Sequence, residues 1–405
     1  MVKTASCVII GAGIAGTSTA YFLVSKGMKD VVLVDKGSVA SGITGYTAGY
    51  AFLHHDNPWK VQLSAKGLEM YTNWKDLIGG ECSWHQVGYL FMVSPEESSR
   101  LHGHVETIRQ MGVGDVMETL GPEDVKVNWP FYNVEGIAAA SYEPNAGFAD
   151  GSDAANSLAR RFRDMGGRLM QGAEVSSIKV EGGWASGVEL ADGEAISAPT
   201  VVVAAGAWSG KVASTAGIKL PVEPGPVSAG IVVRPPETQD LTTVVDYSTG
   251  NWFRPDVGNS TLVGVPERQI SVDSLMTEHF PQSVGYQAQT RASERLTYRI
   301  PAMKDAYWKR TYAAVDATTE DHMPLIGPVP QVEGLYINTG FTYYGFMQGP
   351  AAGQCLAEII LEGQPSTLDI QALRPTRFEE EKPISGPDDY YFFNGPWVEQ
   401  KFGPD

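Results

Sequence analysis

Gly11-Ala12-Gly13-Ile14-Ala15-Gly16 is a GxGxxG run, a spacing that suits the pyrophosphate of a dinucleotide. The first glycine permits a tight turn, the second lets backbone approach the phosphates, and the third lets a helix pack against a strand. The N–H groups that open that helix then face the anion. Asp35 stands roughly 20 residues beyond Gly16, where a carboxylate accepts both hydroxyls of an adenosine ribose and repels a 2′-phosphate, so NADP is disfavoured. The loop itself does not separate NAD from FAD. Its plain alternative is a glycine-rich turn with no ligand, and the agreement of loop, flanking strands and acid argues against that.

These residues need elements that hold them. Cys7-Val8-Ile9-Ile10 is a short apolar run, Ala15 to Ser25 predicts a helix, and Val31-Val32-Leu33-Val34-Asp35 is a second run. Later strand signals are Val201 to Ala205, Ile231 to Val233, Leu262-Val263 and Leu335 to Asn338; the first and last are expected to return to the nucleotide-binding sheet. Pro350 to Glu362 reads as a closing helix, with Pro350 in its first turn and Gly363 past its end. Residues 86–144 and 226–319 are richer in turn dipeptides, Trp and Tyr, as expected of a second sheet that roofs the ligand. The expected division is a nucleotide-binding domain from residues 1–85, 145–225 and 320–378, a substrate domain from 86–144 and 226–319, and a tail from 379 to 405. That tail carries Glu379-Glu380-Glu381 and Tyr390-Tyr391-Phe392-Phe393, which would pack on the body or on a neighbouring subunit.

The composition limits the function classes. At 405 residues the chain exceeds one ordinary core, and 43% apolar with 19% charged residues is a globular balance. A net charge of −17 disfavours nucleic acid, whose binding needs a basic face. The three cysteines, Cys7, Cys82 and Cys355, are widely spaced and odd in number, which points to a reducing cytoplasm and not to a disulfide framework. The apolar stretch Cys7 to Val24 is better explained by its glycine spacing than as a signal or membrane segment, and no second stretch nears the roughly 20 apolar residues of a bilayer span. His102 and His104 have no third ligand nearby, so no metal is expected.

Five further segments resemble the D-amino-acid oxidase and sarcosine oxidase superfamily of FAD-dependent amine oxidoreductases, and with the loop they span nearly the whole chain. Ala40-Ser41-Gly42 through Thr47-Ala48-Gly49 is similar to the loop that runs past the pyrophosphate to the flavin. Val201 through Ser209 resembles the family's VVxAxGxWS strand and turn. Asp316 through Gly327 resembles DxTPDxxPIIG, Gly340 through Phe346 resembles GFSGHGF, and Arg374-Pro375-Thr376-Arg377-Phe378 resembles the terminal RPxRF. The nearest subset is the sarcosine oxidase β-subunit and dye-linked proline dehydrogenase group, which shares the acid at Asp316. The resemblance implies an α/β (α+β overall) fold, a Rossmann-type FAD-binding domain with a second, antiparallel-sheet substrate domain. It implies FAD contacts from Gly11, Gly13, Ile14, Ala15, Gly16, Asp35, Lys36, Ser41, Gly42, Thr47, Ala48, Gly49, Val175, Ala205, Gly206, Trp208, Gly327, Gly340, Tyr344, Gly345, Phe346 and Met347.

The departures from the family pattern carry their own expectations. Members that join FAD covalently use a cysteine or a histidine at the positions of Ala313 and Tyr46, so FAD is expected to be held non-covalently. Sarcosine oxidases hold the substrate carboxylate with an arginine and a lysine where this chain has Ala51 and Met347, and the arginine of D-amino-acid oxidases aligns with Asp316; a simple N-methyl amino acid is therefore not expected to bind tightly through those positions. Arg254 is a candidate replacement clamp from the roof, but the plainer expectation is a surface arginine beside Pro255-Asp256. Tyr46, Tyr50, Phe52, Trp252, Phe253, Tyr343 and Tyr344 fall in flavin-facing segments and would wall a pocket for an apolar or cationic amine, their bland alternative being core. Tyr50, Tyr344, Asp316 and His54 are the candidates for catalysis: Asp316 to pair with a substrate ammonium, and His54, beside His55, to take the amine's proton.

The implied reaction is hydride transfer from a carbon next to an amine nitrogen to flavin N5, giving an imine. The roof lysine with which sarcosine oxidases activate oxygen has no counterpart in Ser260-Thr261-Leu262-Val263-Gly264, so a dye, quinone or partner flavoprotein stands beside O₂ as electron acceptor. The alternatives are oxidation of a hydroxy acid or other C–H bond, and a non-catalytic flavoprotein subunit. A homo-oligomer or a partner subunit is compatible with either.

Overall fold

The computed structural model describes residues 3–114, 116–238, 241–265, 276, 283–384 and 401–402. The elements around its central cavities run, in chain order, β1 (Cys7–Ile10), α1 (Ile14–Ser25), β2 (Val31–Asp35), α2 (Pro58–Thr72), α3 (Gly151–Asp164), β3 (Arg168–Gln171), β4 (Val201–Val203), β5 (Glu223–Val233), β6 (Asn251–Pro255), β7 (Ser260–Gly264), β8 (Tyr307–Thr318), β9 (Leu325–Pro328), β10 (Leu335–Thr339) and α4 (Gly345–Glu362).

The four residues of β1 are all buried, as a central parallel strand covered on both faces requires. The sheet has the order β9-β10-β4-β1-β2-β3, parallel throughout except for the β9–β10 pair. The strands expected to return to it, β4 and β10, do so. Because the chain fills one side of β1 with β2 and β3 and the other with β4 and β10, the order reverses beside β1, and a crevice opens at the carboxyl ends of the strands. Helix α1 packs against α4 and α3.

The roof is an eight-stranded sheet in the order β8, β5, β7, β6, Thr243–Asp246, Tyr89–Val93, Ala139–Glu143, Glu118–Leu120. It is antiparallel except where Thr243–Asp246 runs parallel to Tyr89–Val93. Strands β5 and β8 pair from Glu223–Thr318 to Val233–Tyr307, with a register shift between Ile231 and Val232. This is the Rossmann-type domain plus substrate sheet that the sequence implied.

The closing helix differs from the sequence expectation. It begins at Gly345, five residues before Pro350, which sits in its interior. A proline there leaves the carbonyl four residues back without its helical donor. The Tyr71 hydroxyl of α2 supplies one, donating to the Phe346 carbonyl at 2.8 Å. The far end agrees: Gly363 caps α4 at φ 81°, the left-handed region. The aromatic run at 390–393 lies outside the described residues.

Candidate active site

The crevice forms a cavity of about 810 Å³ floored by the glycine loop, walled by β2, the Ser41–Thr47 segment and the Ala204–Trp208 turn, and closed by β8 and the turn into α4. Gly11 has φ +108°, and a Cβ there would lie 2.3 Å from the Ala204 carbonyl oxygen; one at Gly16 would lie 1.8 Å from the Gly11 oxygen. Only glycine allows β1, α1 and β4 to meet this closely. Helix α1 starts at N-cap Gly13, which has no side chain of its own to cap it, and carries no acid in its first turn, which leaves the N–H groups beyond Ile14 for an anion. Thr44, passed over in the sequence between Gly42 and Thr47, binds that end: its Oγ1 accepts from the Ile14 N–H at 3.0 Å and so fixes the loop over α1.

Asp35 is held by two backbone donors, Oδ2 accepting from Ala12 N–H and Oδ1 from Gly37 N–H, each at 2.7 Å. That orients the carboxylate at the cavity wall with lone pairs remaining. Lys36 Nζ lies 4.0 Å from the centre of the Trp208 ring, joining two of the expected cofactor residues across the same cavity.

Of the residues implied for FAD, Gly11, Gly13, Ile14, Ala15, Asp35, Lys36, Ser41, Gly42, Thr47, Val175, Ala205, Gly206, Trp208, Gly340, Gly345 and Phe346 line this cavity, and so does Asp316. Gly16, Ala48, Gly49, Gly327, Tyr344 and Met347 stand outside its lining. Met347 is buried in a cluster with Ala51, Tyr71 and Phe346, so the two positions of the family's carboxylate clamp are core here.

Asp316 is a buried carboxylate whose Oδ1 accepts from Ala317 N–H at 2.8 Å and whose Oδ2 accepts from Tyr343 N–H at 2.6 Å. The second bond steadies two consecutive left-handed non-glycine residues, Thr342 at φ 45° and Tyr343 at φ 72°, immediately before α4. Burial pushes the Asp316 carboxyl up to about 6, although both N–H bonds pull it down. The folded chain therefore holds a proton between pH 4 and pH 6 that the unfolded chain has released, and stability falls as pH rises through that window. Raising a carboxyl from its ordinary value near 4 to about 6 corresponds to roughly 3 kcal/mol. The flavin-free protein should lose stability relative to Asp316→Asn as pH rises from 4 to 6, with a constant difference above; thermal melts of both across that range check it, and parallel curves would refute it.

Tyr50 and His54 lie outside both cavities. Tyr50 packs among Phe52, Tyr89 and Trp252, and burial pushes its phenol far up. His54 stacks on Phe91 at 4.5 Å, with Nδ1 2.9 Å from Ser141 Oγ; burial, then His104, holds it well below the ordinary histidine range, so it is neutral. Its backbone N–H and that of Leu53 donate to the buried Glu143 carboxylate. Tyr344 is half-buried, its ring 5.1 Å from Lys60 Nζ and 4.8 Å from the His55 ring.

A second cavity of about 570 Å³ adjoins the first, sharing Ser41, Tyr46 and Thr47, and reaches up to Ile231, Leu262, Arg254 and Tyr312 of the roof. Tyr46 and Ala313, the positions that carry a covalent flavin link elsewhere, both line it. Tyr312 Oη donates to the Tyr46 carbonyl at 3.2 Å and ties roof to loop.

Residues 6–359 match the family model described as DAO, FAD dependent oxidoreductase. The chain belongs to this family. FAD is accordingly the cofactor of this DAO oxidoreductase, and the glycine cradle, the oriented Asp35 and the open end of α1 fit it. Human mitochondrial sarcosine dehydrogenase is 27% identical over 375 residues, which cover 90% of this chain and 40% of that protein. The DAO oxidoreductase thus spans about two fifths of that relative's length. Xenopus laevis FAD-dependent oxidoreductase domain-containing protein 1 is 27% identical over 94% of this chain and 84% of its own length. Among solved structures, L-proline dehydrogenase from P. horikoshii superposes with a TM-score of 0.86 at 26% identity, covering 95% of this chain and all of that one. Among the described residues no helix is long and apolar enough to cross a membrane.

Proposed function

We propose that this DAO-family protein oxidises the C–N bond of an amine or amino-acid derivative to an imine, which water then hydrolyses. The observation that carries the reading is the near-complete overlap with a proline dehydrogenase at 26% identity, in a chain whose dinucleotide cavity runs up to a roof of substrate-domain type. Sarcosine and dimethylglycine dehydrogenases among the relatives point to the same bond class. FAD, when bound, supplies the hydride acceptor at its N5.

The chain's own residues do the rest. The glycine loop, Asp35 and Thr44 bind and orient the cofactor. Asp316 fixes the Thr342–Tyr343 turn at one end of the cavity. Ala229, Ile231, Leu262 and Trp252 form an apolar roof patch facing Ala48, which excludes water from a reacting C–H bond. The three cysteines are buried free thiols, in keeping with a reducing compartment.

The test is the visible spectrum of the purified protein followed by anaerobic titration with secondary and tertiary amines, sarcosine, proline, D-amino acids and small hydroxy acids. The expected result is a yellow protein that releases all its FAD on acid denaturation and is bleached by at least one amine. A flavin that stays oxidised with every amine but is bleached by a hydroxy acid would move the reading to the alternative substrate class. A flavin reduced by neither would favour the non-catalytic subunit.

A further inference from the structure

The 570 Å³ cavity holds a cation that the family's carboxylate-binding positions do not account for. Arg254, in β6, is 8% exposed, and so not the surface arginine its Pro-Asp neighbours implied. Its Nε donates to the Ala48 carbonyl at 2.6 Å, and Nη1 donates to the Pro255 carbonyl at 2.8 Å and to Asp256 Oδ1 at 3.2 Å. The guanidinium lies over the Phe148 ring, 4.1 Å from its centre. These contacts fix the plane of the guanidinium and engage Nε and Nη1, leaving Nη2 as the donor still available. Among the described residues nothing accepts from Nη2, while Arg254 lines the cavity.

The lining carries two arginines and two acids, so it is the placing of the charges and not their sum that favours an anion at Nη2. The two acids of the lining are both engaged: Asp256 by Arg254 itself, and Asp150 by the Asp153 N–H at the start of α3. Arg310, exposed at the rim, adds a second cation. Ile231 and Leu262, the latter paired with Arg254 across β6 and β7, supply an apolar wall beside the guanidinium. A pre-oriented, charged Nη2 donor next to an apolar surface fits a small carboxylate with a hydrocarbon body. The cavity adjoins the cofactor cavity at Ser41, Tyr46 and Thr47, which line both, so a ligand anchored on Arg254 would lie beside the cofactor.

We infer that Arg254 is the specificity-determining residue of this oxidoreductase: it anchors the carboxylate of an amino-acid substrate, in place of the clamp lost at Ala51 and Met347. This deepens the proposed amine oxidation and rests on it for the substrate's identity, but not for the anion binding itself.

The experiment separates the two. On the FAD-loaded protein, the flavin spectrum is followed as non-oxidisable ligands are added in pairs, each a small carboxylate and its amide: acetate with acetamide, benzoate with benzamide. The wild type is expected to bind the acid of each pair about 100-fold more tightly. Arg254→Gln retains a donor for Ala48 and loses the charge; it should lower affinity for the acids about 100-fold and for the amides less than about 3-fold, with Arg254→Lys recovering part of the loss. With oxidisable amines the same split should appear in the substrate concentration for half-maximal flavin reduction, the limiting rate changing much less. Equal binding of acid and amide by the wild type overturns the inference, whatever happens to the variants. So does an Arg254→Gln protein that keeps wild-type affinity for the acids. If no amine reduces the flavin while the acids still bind through Arg254, the proposed reaction fails and the anion site stands.

Discussion

Gly13→Ala is expected to fold as the wild type does and to lose FAD affinity by about 100-fold. Gly13 lies at φ −75°, ψ −176°, extended backbone open to any residue. An added Cβ meets Thr44 Oγ1 at 3.0 Å, a contact that a shift of a few tenths of an ångström relieves while the threonine keeps its bond to Ile14 N–H. The protein therefore tolerates the methyl group. The cofactor does not, because Gly13 lines the cavity at the N-terminus of α1, where backbone must come within hydrogen-bond distance of phosphate oxygens. Charge-assisted bonds contribute about 1.5–3 kcal/mol each, so losing one or two gives a change of that order in Kd. Gly11→Ala behaves differently: φ +108° and a backbone oxygen 2.3 Å from the new Cβ mean the chain itself is displaced, and the flavin-free protein should melt earlier. Melting of both flavin-free variants, with FAD titration of Gly13→Ala, checks the pair. A Gly13→Ala protein with wild-type affinity would show that the phosphates do not approach this turn.

The contrast between these glycines also marks what the sequence made legible. The loop, the strands around it and Asp35 form a local unit of about thirty residues, so spacing alone placed them, and the family-like segments placed the cavity's walls. What depended on distant partners was not legible. The start of α4 moved because a tyrosine on α2 satisfies the carbonyl that Pro350 leaves free. His54 follows the flavin loop in sequence, yet Glu143, 89 residues on, takes its backbone N–H and the ring turns into a buried layer beside Phe91. Arg254 sits beside a proline and an aspartate, a surface pattern, and only its bond to Ala48, 206 residues away, shows that it is enclosed. Thr44 carries a signal in the sequence, a hydroxyl inside a glycine-rich loop beside a helix start.

Arg377 is a further case of distant pairing, and its removal is expected to cost the most stability. The RPTRF and DATTEDHMPLIG segments are separate motifs in the sequence; in the fold Arg377 joins them, with Nε 2.7 Å from Asp321 Oδ2 and Nη2 2.8 Å from Oδ1. The guanidinium is fully buried and also donates to the carbonyls of Met323 at 2.7 Å and Pro324 at 2.9 Å. Burial alone would raise the Asp321 carboxyl, but the bonds from Arg377, with backbone N–H groups of Ile384 and Met323, hold it below the ordinary carboxylate range. A carboxylate depressed in this way stabilises the fold above its unfolded value near pH 4, and that contribution is lost as pH falls through the folded value. Arg377→Met leaves a buried anion without its cation, an imbalance that costs about 3–5 kcal/mol at neutral pH. The deficit should shrink at low pH, where Asp321 takes up a proton and no charge remains unpaired. Adding Asp321→Asn should recover much of the loss at neutral pH, because the pair is then absent and not broken. Denaturant unfolding of the wild type and both variants at pH 7 and pH 4 tests this: a single variant within about 1 kcal/mol of the wild type at pH 7, or a deficit independent of pH, would show that the segment before β9 is held by its backbone bonds and not by the ion pair.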